Sequence, residues 1–273
     1  MIVEKAYAKL NLALTVVGKR KDGFHELKSI AIPISLHDVL EFYSSEEISV
    51  ESDVDIKDNL ILKTAQKMQE RWNIKEGAKI KLTKRIPIGG GLGGESADIS
   101  ATIRGLNRLW SLNLELEDFH ELATSLGSDT LFCLYNKPAL IYGRGEGILF
   151  INQPSNYDIF LFPFAQGIKT KEVFENHQIK VKKNRFDRLF RLYLNEQYQS
   201  FFKKTYNDLM KTAFRLNKDL KKQHSSLKKI HKNVFMSGSG TTLFIMAETN
   251  ERPDIINKIE KINLDWAKSE PKS

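Results

Sequence analysis

The 273-residue sequence contains one cysteine, Cys133, so no internal disulfide can form. A reducing cytosol is the natural compartment for such a chain. Cys133 sits in an apolar run with Leu131, Phe132 and Leu134, which favours a buried structural thiol over a nucleophile. No apolar stretch approaches the length of a membrane span, and the N-terminus lacks a charged-then-apolar signal pattern. A cytoplasmic protein with no membrane partner is expected. Internal repeats, low-complexity tracts and long Pro/Ser linkers are also missing. No Gly-Lys-Ser/Thr triplet ends a glycine loop, which excludes the Walker P-loop, and neither H-R-D nor D-F-G occurs, which excludes a protein kinase. What remains, with 41% hydrophobic residues, is an ordinary globule of one large or two modest domains.

Glycine is concentrated where it can act. Gly89-Gly90-Gly91-Leu92-Gly93-Gly94 places five glycines in six residues. Glycine adopts φ > 0 without strain and keeps no side chain between a ligand and the backbone N–H groups; a helix start beside it adds unpaired donors and a positive dipole. Upstream, Ala78-Lys79-Ile80-Lys81-Leu82 alternates with the period of a half-buried strand, and Pro87 closes it. Downstream, Ile99, Ile103, Leu106 and Trp110 recur at helical spacing, with Ser96 the expected N-cap. Strand, glycine loop and helix follow in the order a nucleotide phosphate requires. Gly89, Gly91 and Gly94 satisfy G-x-G-x-x-G, but the dinucleotide fold needs a second strand ending in an acid. Here Leu116, Phe119, Leu122 and Leu126 predict a second helix instead.

Charge is uneven. From Lys180 to Lys232 there are sixteen Lys/Arg and four Asp/Glu, a local +12 in a chain of +8. Nucleic acid is one reading of such a segment. Phe186, Leu189, Phe190 and Tyr193, then Leu216, Leu220 and Leu227, fall at core spacing, which favours a pair of helices with solvated lysine faces. After the turn-rich Tyr142–Gly147 segment, a strand is expected at 159–163, another at 242–246, and a last helix from Asp254 to about Trp266 with Ile255, Ile259 and Ile262 on one face. The irregular interleaving predicts α+β in both halves, 1–150 and 151–273.

Three places carry candidate chemistry. Leu10, Leu12, Leu14 and Val16 alternate on one face of a strand, so Lys9 and Asn11 share the other, able to hold an anionic group and a hydroxyl. Gly127 reads as a helix stop, placing Asp129 at the start of a short helix, as a cap or as a base accepting a hydroxyl proton. Met236-Ser237-Gly238-Ser239-Gly240-Thr241 forms a small-residue turn, either a second anion cradle or a tight turn before a strand.

Taken together, these residues resemble the GHMP small-molecule kinases, and within them the kinases of 4-diphosphocytidyl-2-C-methyl-D-erythritol. The likeness runs along nearly the whole chain: Ala8-Lys9-Leu10-Asn11-Leu12, Asp22-Gly23-Phe24-His25-Glu26-Leu27, Ile86-Pro87-Ile88 with the glycine loop, Leu126-Gly127-Ser128-Asp129, Gly143-Arg144-Gly145-Glu146, Asn207-Asp208-Leu209 and Met236-Ser237-Gly238-Ser239-Gly240. It implies a two-domain fold, with a ribosomal-protein-S5-like N-terminal domain that binds ATP, a ferredoxin-like C-terminal domain, and a cleft between them. It also implies Mg-ATP-dependent phosphorylation of the 2-hydroxyl of a cytidine-diphosphate-linked sugar alcohol, by a monomer or weak homodimer. Asp129 resembles the catalytic base and Lys9 the cation paired with it. Pro87, Ile88, Gly89, Gly90, Gly91, Leu92, Gly93, Gly94, Glu95, Ser96 and Ala97 resemble the ATP-binding segment. Asn11, Thr170, Gly238 and Ser239 resemble substrate contacts, His25 the cytosine ligand, and Phe24 and Phe174 the rings stacking on that base. The alternatives are a mevalonate- or homoserine-type kinase, or a nucleic-acid-binding protein on a scaffold that has lost turnover.

The sequence departs from the family pattern at informative positions. Phe24 stands where tyrosine is usual, which keeps stacking and removes a phenolic hydrogen bond. Leu131 and Tyr7 replace prolines, and Ile99 an alanine. Glu95 stands where glycine is usual. A carboxylate there either helps hold Mg²⁺ or points away and complements the helix dipole; the second is expected, with Asp98 doing the same.

Overall fold

The computed structural model describes residues 1–56, 59–164, 166–180, 184–261 and 266–269. The chain passes repeatedly between two compact units. Met1–Ala8, Leu36–Pro87 and Gly93–Asn136 form the first; Lys9–Ser35, Ile88–Leu92 and Lys137–Ser273 form the second. This partition differs from contiguous halves because two long strands, β1 (Ile2–Lys19) and β2 (His25–Ser45), give residues to both units.

The first unit adds β3 (Ser49–Ser52), α1 (Leu60–Trp72), β4 (Gly77–Thr83), α2 (Gly94–Leu109), α3 (Leu116–Leu126) and α4 (Thr130–Tyr135). The later residues of β2 pair antiparallel with β4, Val39 opposite Thr83 through Ser45 opposite Gly77, and β3 runs parallel to β4. Ala78, Ile80 and Leu82 of β4 are buried, while Lys79 turns outward to Glu51 at 2.5 Å, as the alternation predicts. The predicted helical faces are also present: Ile99, Ile103 and Leu106 of α2 and Leu122 of α3 are buried, as is Cys133 of α4. A capping box between Glu115 and Asp118 starts α3. Gly127 ends it with extended backbone, φ 177°; a Cβ there would lie 2.8 Å from Thr130 Oγ1.

Ser96 is not the N-cap of α2. The helix begins two residues earlier, at Gly94, and its cap is Gly93 in the left-handed region, φ 72°. The glycine reaches the capping conformation that a serine there would have to strain to adopt.

The second unit adds β5 (Ala139–Gly143), β6 (Gly147–Phe150), β7 (Tyr157–Phe162), α5 (Thr170–Glu175), α6 (Arg185–Leu194), α7 (Tyr198–Lys204), α8 (Met210–Leu216), α9 (Lys218–Ile230), β8 (Val234–Met236), β9 (Leu243–Glu248), α10 (Arg252–Glu260) and β10 (Ala267–Ser269). Early β2 pairs with β5, which forms a hairpin with β6, so the glycine-rich segment at 143–147 is a hairpin turn. A separate antiparallel sheet has the order β10-β7-β9-β8, the arrangement of a ferredoxin-like domain. Phe160, Phe162, Leu243 and Ile245 of that sheet pack with Leu14 and Val16 of β1, Val173, Leu220, Leu227, Ile255 and Ile259.

Among the described residues, the basic segment holds four helices, α6 to α9, rather than two. Phe186, Leu189 and Tyr193 are buried on α6 and Leu220 and Leu227 on α9, as their spacing predicts. Lys182 and Lys183 lie outside the described residues. So does Ile262, and α10 ends at Glu260; Trp266 immediately precedes β10 and is not helical. Among the described residues, no helix is long and apolar enough to cross a membrane.

Candidate nucleotide and substrate site

In the second unit the tip of the glycine loop, Ile88–Leu92, meets the Ser-Gly-Ser-Gly turn backbone to backbone. Ser237 Oγ donates to Gly91 O at 2.9 Å, Thr242 N donates to Gly90 O at 3.0 Å, and Lys9 N donates to Leu92 O at 2.9 Å. Gly91 has φ 74°, and a Cβ on it would stand 2.4 Å from Ser237 O and 2.7 Å from Gly240 O. The glycine at this position is therefore demanded by the neighbouring turn as much as by any ligand. Asn207 holds the turn from beneath: its Nδ2 donates to Met236 O at 2.9 Å and to Gly238 O at 2.7 Å, while its Oδ1 accepts from Leu209 N. Nothing about Asn207 in the linear sequence marks this duty beyond its place in a family motif.

Lys9 and Asn11 share a strand face, but that face is covered: each is only 4% exposed. Lys9 Nζ donates to Asn11 Oδ1 at 2.5 Å, Asn11 Nδ2 donates to Ser29 Oγ at 2.8 Å, and Ser29 Oγ donates to Ala13 O at 2.8 Å. Asn11 N also donates to Ser237 Oγ. This relay fixes the orientation of the amide and aims the ammonium, which a solvated lysine would not permit.

A second group lies along α5. Thr170, its first residue, shares a hydrogen bond with Ser239, Oγ1 to Oγ at 3.0 Å. One turn later, the Phe174 ring packs against the His25 imidazole, with centroids 5.0 Å apart and planes tilted by 31°. The Phe24 ring lies under the Arg144 guanidinium, 4.5 Å from the centroid, and is 48% exposed. Arg20 steadies this corner by pairing with both Asp22 and Glu146. Burial, then the charges of Lys19 and His177, hold His25 below the usual imidazole range, so it is neutral at pH 7.

The first unit carries the helix-side part of the predicted ATP segment. The α2 N-terminus has no side-chain cap, so its leading N–H groups are available to an anion. Gly127 of the Gly127-Ser128-Asp129 turn lies close to this first helical turn: a Cβ on it would be 3.5 Å from Ser96 Oγ, and Ser100 Oγ donates to Thr130 O at 2.8 Å. Asp129 is the N-cap residue of α4, and its side chain makes no capping hydrogen bond. Glu95 is exposed and is the acid of the first turn of α2. Asp98 does not complement the dipole as expected. It is buried and bound to Lys84, Oδ2 to Nζ at 2.8 Å. Burial pushes Asp98 up to about 7 against the pull of Lys84, with Asp38 adding to the push. Burial also works against the Lys84 charge, but Asp98 and Asp38 outweigh it and hold the ammonium above its usual range.

The family comparisons agree with this geometry. The GHMP kinases N terminal domain family matches residues 59–137, the stretch from α1 through the glycine loop to the end of α4. The 4-diphosphocytidyl-2-C-methyl-D-erythritol kinase of Bacillus cereus strain B4264 is 34% identical over 259 residues, covering 92% of this chain and 90% of that protein. The chain belongs to the 4-diphosphocytidyl-2-C-methyl-D-erythritol kinase family. The namesake from Bacillus anthracis matches at the same identity and coverage. A crystal structure of 4-(cytidine 5'-diphospho)-2C-methyl-D-erythritol kinase superposes with a TM-score of 0.81 at 26% identity over 100% of both chains. The Methanococcus jannaschii mevalonate kinase shares the fold, TM-score 0.73, at 14% identity over 100% of this chain and 98% of that one. The two-domain α+β GHMP kinase fold is thus the fold of this chain. The features sequence reasoning missed in this family member are Asn207 under the turn, Ser29 behind Asn11, and the buried cluster of Lys84 with Asp38 and Asp98. Each joins residues far apart in the chain, and no local pattern signals them.

Proposed function

We propose that this chain is an ATP-dependent kinase that phosphorylates the 2-hydroxyl of 4-diphosphocytidyl-2-C-methyl-D-erythritol in non-mevalonate isoprenoid precursor formation, acting in the cytoplasm. The observation that carries the substrate assignment is the cytosine corner: a neutral His25 packed on Phe174, beside an exposed Phe24, within the Asp22-Gly23-Phe24-His25 box that marks this branch of the superfamily. A neutral imidazole offers one donor and one acceptor to a pyrimidine edge, and exposed rings offer faces to a flat heterocycle.

Phosphoryl transfer asks a protein mainly for positioning and for charge stabilisation. The glycine segment from Pro87 to Ala97 is assigned to the ATP phosphates, which meet the uncapped N–H groups of α2. Asp129 accepts the proton of the attacking hydroxyl. Lys9, aimed by Asn11, steadies negative charge that develops on the transferred group. Asn11 has already committed its oxygen to Lys9 and one N–H to Ser29, so one N–H remains for a substrate hydroxyl. Thr170, Gly238 and Ser239 complete the acceptor contacts. Mg²⁺ is assigned to the triphosphate, with Glu95 able to add at most one carboxylate. The portion 1–150, with the glycine loop, is assigned to ATP binding, and 151–273 contributes Thr170, Phe174, Gly238 and Ser239 to the acceptor site that Asn11, Phe24 and His25 share.

The test is ADP formation by the purified protein with three acceptors. Turnover with the diphosphocytidyl alcohol and none with mevalonate or homoserine is expected. Turnover with either of those two, and none with the diphosphocytidyl alcohol, overturns the proposal.

A further inference from the structure

The two stems of the glycine loop, residues 84–87 before it and 93–98 after it, both lie in the first unit, and one buried ionic cluster joins them. Lys84, whose side chain is 8% exposed, places Nζ 2.5 Å from Asp38 Oδ2 and 2.8 Å from Asp98 Oδ2. Asp38 is fully buried, and its other oxygen accepts from the backbone N–H groups of Arg85 and Ile86, the latter at 2.7 Å. Asp53 Oδ1 accepts from Lys84 N at 2.9 Å. The strand-side stem is thus tied down at three successive backbone positions. On the helix side, Asp98 stands one turn into α2. Gly94, the first helical residue, lies against the same ammonium: a Cβ on it would be 3.1 Å from Lys84 Nζ and 3.1 Å from Ile86 Cγ2.

Stability alone is a poor reason for this arrangement. A lysine below a helix N-terminus opposes the dipole, and a buried ion cluster is often no better for stability than an apolar replacement. Asp98 Oδ1 is buried with no hydrogen-bond partner, a further cost. What the cluster does provide is a fixed spacing and angle between the last backbone N–H groups before the loop and the first ones of the helix.

We propose that Lys84, bridging Asp38 and Asp98, is a positioning residue for nucleotide binding: it clamps the stems of the glycine loop in the geometry that presents the α2 N-terminus to phosphate. The proposal rests on the reading that this loop takes ATP.

The test compares wild type, Lys84→Met and Lys84→Arg by calorimetric titration with Mg-ATP, by steady-state kinetics and by thermal unfolding. Lys84→Met is expected to weaken ATP binding and raise the KM for ATP by roughly tenfold or more, since small displacements at a positioned site carry factors of that size. The KM for the acceptor should move less than about twofold, because the clamp touches no acceptor residue. Lys84→Arg, which can also bridge two carboxylates, should recover most of the ATP affinity. The proposal is overturned if Lys84→Met is folded and binds ATP as wild type does, or if both KM values rise together in step with lost thermal stability. Should Lys84→Met fail to fold, Asp98→Asn, which weakens the helix-side half of the bridge, decides in its place. A selective rise in the KM for ATP upholds the clamp, and unchanged kinetics with a lowered melting temperature reject it. A wild-type protein that binds no ATP would instead refute the underlying reading of the loop.

Discussion

Replacing Gly91 with alanine separates the two reasons for glycine in the loop. Gly89 and Gly91 have nearly the same backbone, φ 68° and 74°. An alanine at either pays for the left-handed region, about 1–2 kcal/mol. Their surroundings differ. A Cβ at Gly89 would have one atom within reach, Gly167 Cα at 4.0 Å, whereas at Gly91 it would meet the carbonyl oxygens of Ser237 at 2.4 Å and Gly240 at 2.7 Å. Those carbonyls belong to a turn that Asn207 holds by two hydrogen bonds and Ser237 ties to Gly91 itself, so the turn has little room to retreat. Overpacking of that kind adds roughly 1–3 kcal/mol. Gly91→Ala is therefore expected to lose about 2–5 kcal/mol and Gly89→Ala about 1–2 kcal/mol. Urea unfolding of both variants, followed by far-UV circular dichroism, measures the difference. Equal losses at the two positions would show that the tip of the loop does not pack on the Ser-Gly-Ser-Gly turn, and the account of the second unit's half of the site would fail.

Four further outcomes are expected. Asp129→Asn should lower kcat by roughly 10² or more while leaving ATP affinity near wild type, as loss of a general base does; a normal kcat would place the base elsewhere. His25→Ala should raise the KM for the diphosphocytidyl acceptor and leave that for ATP unchanged. Because burial, Lys19 and His177 depress the His25 pKa, the imidazole stays neutral through neutral and alkaline pH and gains its proton only below the usual histidine range. In the wild type, the acceptor KM should consequently be flat above pH 7 and rise only on the acid side, and an inflection at or above the usual histidine value would contradict the assignment. Glu95→Gly should lower the KM for ATP by less than about fivefold, since an exposed carboxylate contributes no more than about 1 kcal/mol; a rise on substitution would mean that Glu95 assists the nucleotide, as a Mg²⁺ ligand would.

Local order was legible in the sequence because local rules govern it. The strand at Ala78–Leu82, the glycine loop and the α2 face of Ile99, Ile103 and Leu106 follow from period and glycine content. Asp129 at the start of α4 follows from the stop at Gly127. Serine's general preference for caps misplaced the start of α2, because Gly93 takes the cap through a backbone conformation that no composition reveals. The helical spacing of Ile255 and Ile259 was read correctly, but the helix stops at Glu260 and the chain re-forms as β10 beside β7. That pairing is a tertiary choice that overrides local propensity. Nothing in the linear sequence singles out Lys84, since its partners lie 46 and 14 positions away. Lys9 and Asn11 read as a polar face, and their burial became visible only once Ser29 and the Ser237 turn were in place.

The proposed reaction moves a phosphoryl group from ATP to the hydroxyl of a cytidine-linked alcohol. The most direct measurement supplies ATP labelled in its γ-phosphate together with 4-diphosphocytidyl-2-C-methyl-D-erythritol, and locates the label in the products by phosphorus NMR. The account predicts a new phosphate ester on the 2-hydroxyl of the methylerythritol, formed in equal amount with ADP and suppressed in Asp129→Asn. Label found only in inorganic phosphate, or at another hydroxyl, would contradict it.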